Sequence, residues 1–153
     1  MMLSRHGLEV RVPAGWEGKV FRLPGTGPTL HAANFPLPSH DGNFGAHATS
    51  AMGDDGVFIA VVEFDARLAG QGLFAGQGLP LPRRPRDVSP RALQRLIRGR
   101  YGVQRFFTEG GRAFCLYAVI GSRPSRDALI RRANDFLGAL RIARRTSAST
   151  EAG

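Results

Sequence analysis

A chain of 153 residues with 42% hydrophobic and 22% charged side chains is long enough to bury a core and too apolar for intrinsic disorder. Its formal net charge of +9 comes almost wholly from arginine, since Lys19 is the only lysine, and a basic balance of this kind can mark an anionic partner. With one cysteine, Cys115, the sequence also excludes an internal disulfide and a cysteine metal cage.

From the start, MMLSRHGLEVRV lacks the apolar stretch of a signal peptide, so the expected location is the cytoplasm. No run approaches the roughly 18 apolar residues that cross a bilayer, and membrane insertion is not expected. Leu8–Val12 alternates with period two and predicts a strand, followed by a turn at PAGW and a second strand through EGKVFRL. LPGTG, residues 23–27, matches a sortase anchoring signal letter for letter. It is followed by most of a domain rather than an apolar tail, so Pro24, Gly25 and Gly27 read as a tight turn. TLHAANFPL predicts a third strand. NFGAHATSAM is ambiguous between helix and strand, and GDDG closes it as a turn.

Val57–Phe64 is apolar on both faces and rich in β-branched residues, which predicts a central strand. Residues 68–90, LAGQGLFAGQGLPLPRRPRDVSP, form the longest irregular stretch, with AGQGL at 69–73 and again at 75–79. Five residues are too few for a solenoid repeat, and loops of this length in small domains are functional or mobile. Ser89 and Pro90 then have the pattern of a helix start, with Leu93, Leu96 and Ile97 as an apolar stripe and Arg91, Arg95 and Arg98 on another face. GVQRFFTE and RAFCLYAVI flank Gly110-Gly111 and predict a β-hairpin. A last helix starts at Ser125, carries Asp127 in its first turn, and lines Leu129, Ala133, Phe136, Leu137 and Leu140 along one face.

This order predicts one α+β domain over 1–143, a mostly antiparallel sheet with helices packed on it, and a flexible polar tail over 144–153. A doubly wound α/β sheet is the alternative. Pro13, Gly15 and Trp16 in LEVRVPAGW, with Asn134, Phe136, Leu137 and Leu140 near the end, resemble the first and last elements of PsbP-like domains. The resemblance covers about a third of the chain and carries over no catalytic residue. It implies a non-catalytic accessory or partner-binding module.

Motifs for chemistry do not assemble in the sequence. Gly70, Gly72 and Gly76 follow a strand but precede a proline-rich segment rather than the helix a dinucleotide site needs. His6, His31, His40 and His47, with Asp41, Asp54 and Asp55, have no metal-ligand spacing and read as hydrophilic loop residues. Ser39-His40-Asp41 are consecutive, which does not allow a triad to converge. Glu63 and Asp65 are the one carboxylate pair whose geometry permits acid–base work. Cys115, among apolar neighbours, reads as an unactivated buried thiol. No catalytic residue, metal site or cofactor is therefore expected.

The charge, however, is uneven. Residues 1–82 hold five basic and seven acidic residues, whereas 83–145 hold sixteen basic and four acidic. Arg83, Arg84, Arg86, Arg91, Arg95, Arg98, Arg100 and Arg105 fall within 23 residues, opposed only by Asp87. The expected function is a non-enzymatic interaction module that binds a protein partner of acidic character. The 65–90 loop with Arg83, Arg84, Arg86, Arg91, Arg95 and Arg98 is the expected contact surface. Nucleic-acid binding by the 83–105 arginines, with Tyr101, Phe106 and Phe107 as stacking groups, is the alternative; no nucleic-acid module signature is present. A small-molecule enzyme with an unrecognised site is the second alternative.

Overall fold

The computed structural model describes residues 1–82 and 84–145. Its first element is a hairpin the strand pattern missed: β1 (Met2–Arg5) and β2 (Leu8–Arg11) pair antiparallel across a turn at His6-Gly7, both with positive φ. A two-residue strand near the end, β8 (Arg141–Ile142), joins β2 to complete a small three-stranded sheet.

The main sheet is five-stranded, in the order β3 (Glu17–Arg22), β4 (Pro28–Ala33), β5 (Val57–Phe64), β7 (Arg112–Ile120), β6 (Tyr101–Glu109). Every pairing between its strands is antiparallel. The architecture is thus β-rich and antiparallel, with two α-helices, and it is not a doubly wound fold. LPGTG forms the β3–β4 turn, where Thr26 N–H and Oγ1 both donate to Leu23 O. Gly110 and Gly111, at φ 61° and 75°, make the β6–β7 turn.

Period-two alternation divides this sheet into two faces. Leu30, Ile59, Val61, Leu116 and Val103 point into the larger core, closed by the small sheet and by α2 (Arg126–Gly138). α2 forms because Ser125 Oγ accepts from Ala128 N–H at 3.1 Å and because Leu129, Ala133, Phe136 and Leu137 repeat at helical spacing. Full burial of such side chains stabilises by about 1.5–3 kcal/mol each. On the other face Phe58, Ala60, Val62, Tyr117 and Val119 form a second core, closed by α1 (Ala46–Ala51) and its flanking loops. The ambiguous NFGAHATSAM stretch is thus a short helix. Cys115 is buried on that face, and burial pushes its thiol up to about 12.

The helix expected from Ser89 onward does not exist. Only a 3-10 turn forms at Pro90–Ala92, and the chain then runs irregularly to Arg100. Tertiary contacts override the helical pattern. Ser89 exchanges two backbone hydrogen bonds with Gly102, Leu93 takes an extended backbone and packs on Gly102, and Gln94 N–H donates to the Tyr117 hydroxyl at 2.7 Å. A Cβ on Gly102 would fall 2.8 Å from Leu93 Cδ2, so glycine is what lets the segment lie so close. The expected tail is also shorter at its start: Arg145 N–H donates to Gly110 O at 2.7 Å, and residues 146–153 lie outside the described residues.

Candidate interaction surface

Residues 65–82 and 84–100 form one long arm that wraps the β6 edge and crosses both faces of the sheet. Asp65 starts it, capping a 3-10 turn and pairing with Arg67 at 2.7 Å. That pairing, chiefly the side-chain hydrogen bond from Arg67, lowers the Asp65 carboxyl to about 2. Thr108 on β6 then holds the glycine-rich stretch: its hydroxyl accepts from Gly70 N–H at 2.8 Å and donates to Phe74 O at 2.6 Å. Phe74 lies between Phe64 and Phe106, and Gly76 and Gly78 bond the Thr108 backbone. No α-helix follows the glycines, so the stretch covers the sheet edge rather than cradling a pyrophosphate.

Beyond Gly78 the arm turns onto the larger core. Leu79, Leu81 and Val88 pack there, and Asn134 Nδ2 on α2 donates to Pro82 O. Asn134, one of the residues that carries the PsbP-like resemblance, is therefore the strut between helix and arm. Trp16, another, stacks on Phe136 with centroids 5.3 Å apart and remains half-buried rather than fully enclosed.

The arginines of the 84–105 run fall into two groups. Arg100 pairs with Asp54 at 2.9 Å and donates to Met52 O; Arg105 lies 3.8 Å from Asp87; Arg95 donates to Ser50 Oγ on α1. These three fasten the arm to the body. Arg84, Arg86, Arg91 and Arg98 are exposed and form no ion pair with a described carboxylate. Arg83 lies outside the described residues. Three leucines of the arm are also exposed: Leu96, two residues before Arg98, is 80% exposed, and Leu73 and Leu68, in the glycine-rich part, are 71% and 42%.

The aromatic residues expected as stacking groups face inward. Phe107 is buried against Phe114, Phe106 belongs to the Phe64–Phe74 cluster, and the Tyr101 ring is covered by the Arg126 guanidinium at 4.7 Å. All three rings are thus already engaged in packing.

The remaining candidates resolve as follows. Glu63 and Asp65 do not work as a carboxylate pair, because Glu63 receives two hydrogen bonds from Arg112, at 2.8 and 3.0 Å, and Asp65 is held by Arg67. His31 is not a loop residue. It sits fully buried in β4, edge-on to Phe21 and Phe58, with Nε2 2.7 Å from Asn43 O and Nδ1 without a partner. Burial lowers it to about 4. Asp41 is enclosed near the start of α1; burial acts to raise its pKa, but the N–H groups of His47, Ala48 and Gly42 outweigh it and hold the group low. Period two places His31 on the inner face beside Ala60 and was the available signal. Among the described residues no three His, Cys, Asp or Glu side chains converge as metal ligands.

The chain matches no family model, no curated protein and no solved structure.

Proposed function

We propose that this chain is a non-enzymatic interaction module that binds an acidic protein partner through the 65–100 arm. One observation carries the reading: Arg84, Arg86, Arg91 and Arg98 are exposed and form no ion pair with a described carboxylate, while the nearby aromatics are engaged in packing. Guanidinium groups pair bidentately with carboxylates, and exposed leucines add the apolar contact that protein interfaces use. Nucleic acid would meet the same charges, but the rings nearest them are engaged in packing, which favours backbone attraction of low selectivity. The PsbP-like resemblance accords with this reading, because Trp16 and Asn134 lie where α2 meets the first turn and the arm. On this reading the sheet is a scaffold, and the arm is the surface that varies with the partner.

The test is affinity capture from the native host with intact-complex mass analysis, using the wild-type chain and a quadruple Arg→Ala variant at 84, 86, 91 and 98. A defined acidic protein recovered only by the wild type supports the proposal. Recovery of mixed nucleic acid at physiological salt overturns it and promotes the nucleic-acid alternative.

A further inference from the structure

β6 is the outer strand of the main sheet, so alternate residues turn their main-chain groups away from β7. The arm shows which residues these are. Gly102 N–H and C=O exchange hydrogen bonds with Ser89, while Thr108 N–H donates to Gly76 O and Thr108 O accepts from Gly78 N–H. The β6–β7 register runs from Tyr101↔Ile120 to Glu109↔Arg112 without a bulge. The outward row is therefore Gly102, Gln104, Phe106 and Thr108.

The arm serves the two ends of this row and not its middle. After Gly78 it leaves the edge to pack Leu79, Leu81 and Val88 on the larger core, and it returns at Ser89 to meet Gly102. Gly102 and Thr108 are about 20 Å apart at the usual strand rise. Within that interval the main-chain N–H and C=O groups of Gln104 and Phe106 have no hydrogen-bond partner among the described residues. Gln104 is exposed and Phe106 half-buried. Main-chain groups without a protein partner are hydrated, so this stretch is a wet, open length of sheet edge.

Its flanks differ. Arg105, between the two residues, lies 3.8 Å from Asp87, which places the 84–87 turn beside the opening on the larger-core face. In that turn Asp87 is engaged by Arg105, whereas Arg84 and Arg86 are exposed and form no ion pair with a described carboxylate. On the other face Gln94 Nε2 donates to Gln104 Oε1, a neutral flank. An extended segment with acidic side chains answers both features. Its main chain pairs with the open edge as an added strand, and its carboxylates meet the guanidinium groups of the turn. The opening is short, so such a segment bends away at both ends, where the arm already holds the edge.

We propose that the acidic partner docks by lending β6 a short extended segment, which pairs with Gln104 and Phe106 in the opening that the arm leaves. This rests on the reading of the arm as a surface for an acidic protein, and it adds how that protein is held.

The probe is a short fluorescein-labelled peptide of alternating glutamate and valine, titrated with the full chain and read by polarisation. Its N-methylated counterpart keeps the side chains and charge but has no main-chain donors. Expected are saturable binding of the first peptide and at least about tenfold weaker binding of the second. The Gln104 and Phe106 amides should exchange fast in the free chain and slowly in the peptide complex. Gln104→Pro removes an outward N–H and no sheet hydrogen bond, a change that edge strands tolerate, and should also weaken the first peptide about tenfold. Equal affinity for the two peptides, binding of neither, or slow exchange at Gln104 and Phe106 in the free chain overturns the proposal. An Arg84→Gln/Arg86→Gln variant separates it from the reading beneath it. If that variant loses both peptides while wild type binds them equally, strand addition falls and the acidic-partner surface stands. If wild type binds neither peptide and the variant captures the same host proteins as wild type, both fall.

Discussion

Arg91 and Arg112 carry the same side chain under opposite conditions. Arg91 stands in solvent on an irregular arm, where its charge is hydrated and forms no ion pair with a described residue. Arg112 is 8% exposed, spans the gap between two sheets, and binds Glu63 and three carbonyl oxygens from the first turn and the last strand. A hydrated guanidinium remains available to a partner and adds little to the fold. An enclosed one is committed to the fold, and its loss leaves several polar groups without partners.

The largest expected effect therefore falls on Arg112. Arg112→Leu strands the Glu63 carboxylate, whose side chain is only 14% exposed, and should cost about 3–5 kcal/mol in urea melts. Arg112→Leu combined with Glu63→Leu should recover much of that loss, because neither charge is then left unpaired. A single-variant cost no larger than that of Arg91→Ala would erase the contrast between the two sites.

Next comes His31, a buried polar group without the compensation that Arg112 enjoys. Its folded pKa is lowered to about 4 from 6.5, so between those values the unfolded chain binds a proton that the native chain refuses. Stability contributed by the neutral ring is complete above about pH 6.5 and is lost as pH falls toward 4, by an amount on the order of 3 kcal/mol. Urea melts across that window should show the slope, and His31→Gln should flatten it. An unchanged slope in the variant would assign the acid sensitivity to other groups.

These two residues also show what the sequence made legible. Period-two and helical-period patterns located β5, the β6–β7 hairpin and α2, because each buries a face against neighbours that demand it. The helix expected at 89–98 failed for a reason no local pattern carries. Gly102 and Tyr117 reach the segment from the sheet and replace its helical hydrogen bonds with their own, Gly102 at Ser89 and Tyr117 at Gln94. The run of arginines at 83–105, conspicuous in the sequence, separates in space into fasteners such as Arg100 and free groups such as Arg91.

Trp16 gives a middle-sized effect and a check on the first turn. The ring is half-buried and stacked on Phe136, so Trp16→Ala should cost about 2 kcal/mol rather than the about 3–5 of a fully enclosed aromatic. A loss below about 1 kcal/mol would mean that α2 is held by its own apolar face and that the PAGW turn only covers it.

The smallest effect on stability belongs to the free arginines, and it sharpens the comparison most. Replacing Arg84, Arg86, Arg91 and Arg98 with Ala removes four exposed charges that no described carboxylate pairs. Each change should leave stability within about ±0.5 kcal/mol. Binding should respond instead, and how it responds identifies the partner. With an acidic protein, loss of rim charges slows association and reduces its salt sensitivity, while selectivity persists at physiological salt. With duplex DNA, each lost phosphate contact flattens the log–log salt slope by about 0.9, and unrelated sequences bind alike. The expected outcome is the first, because Phe107 is buried against Phe114 and half-buried Phe106 is packed against Phe64 and Phe74. A variant that melts several degrees lower would show that these arginines are fasteners after all, and the distinction between hydrated and committed guanidinium groups would fail on this arm.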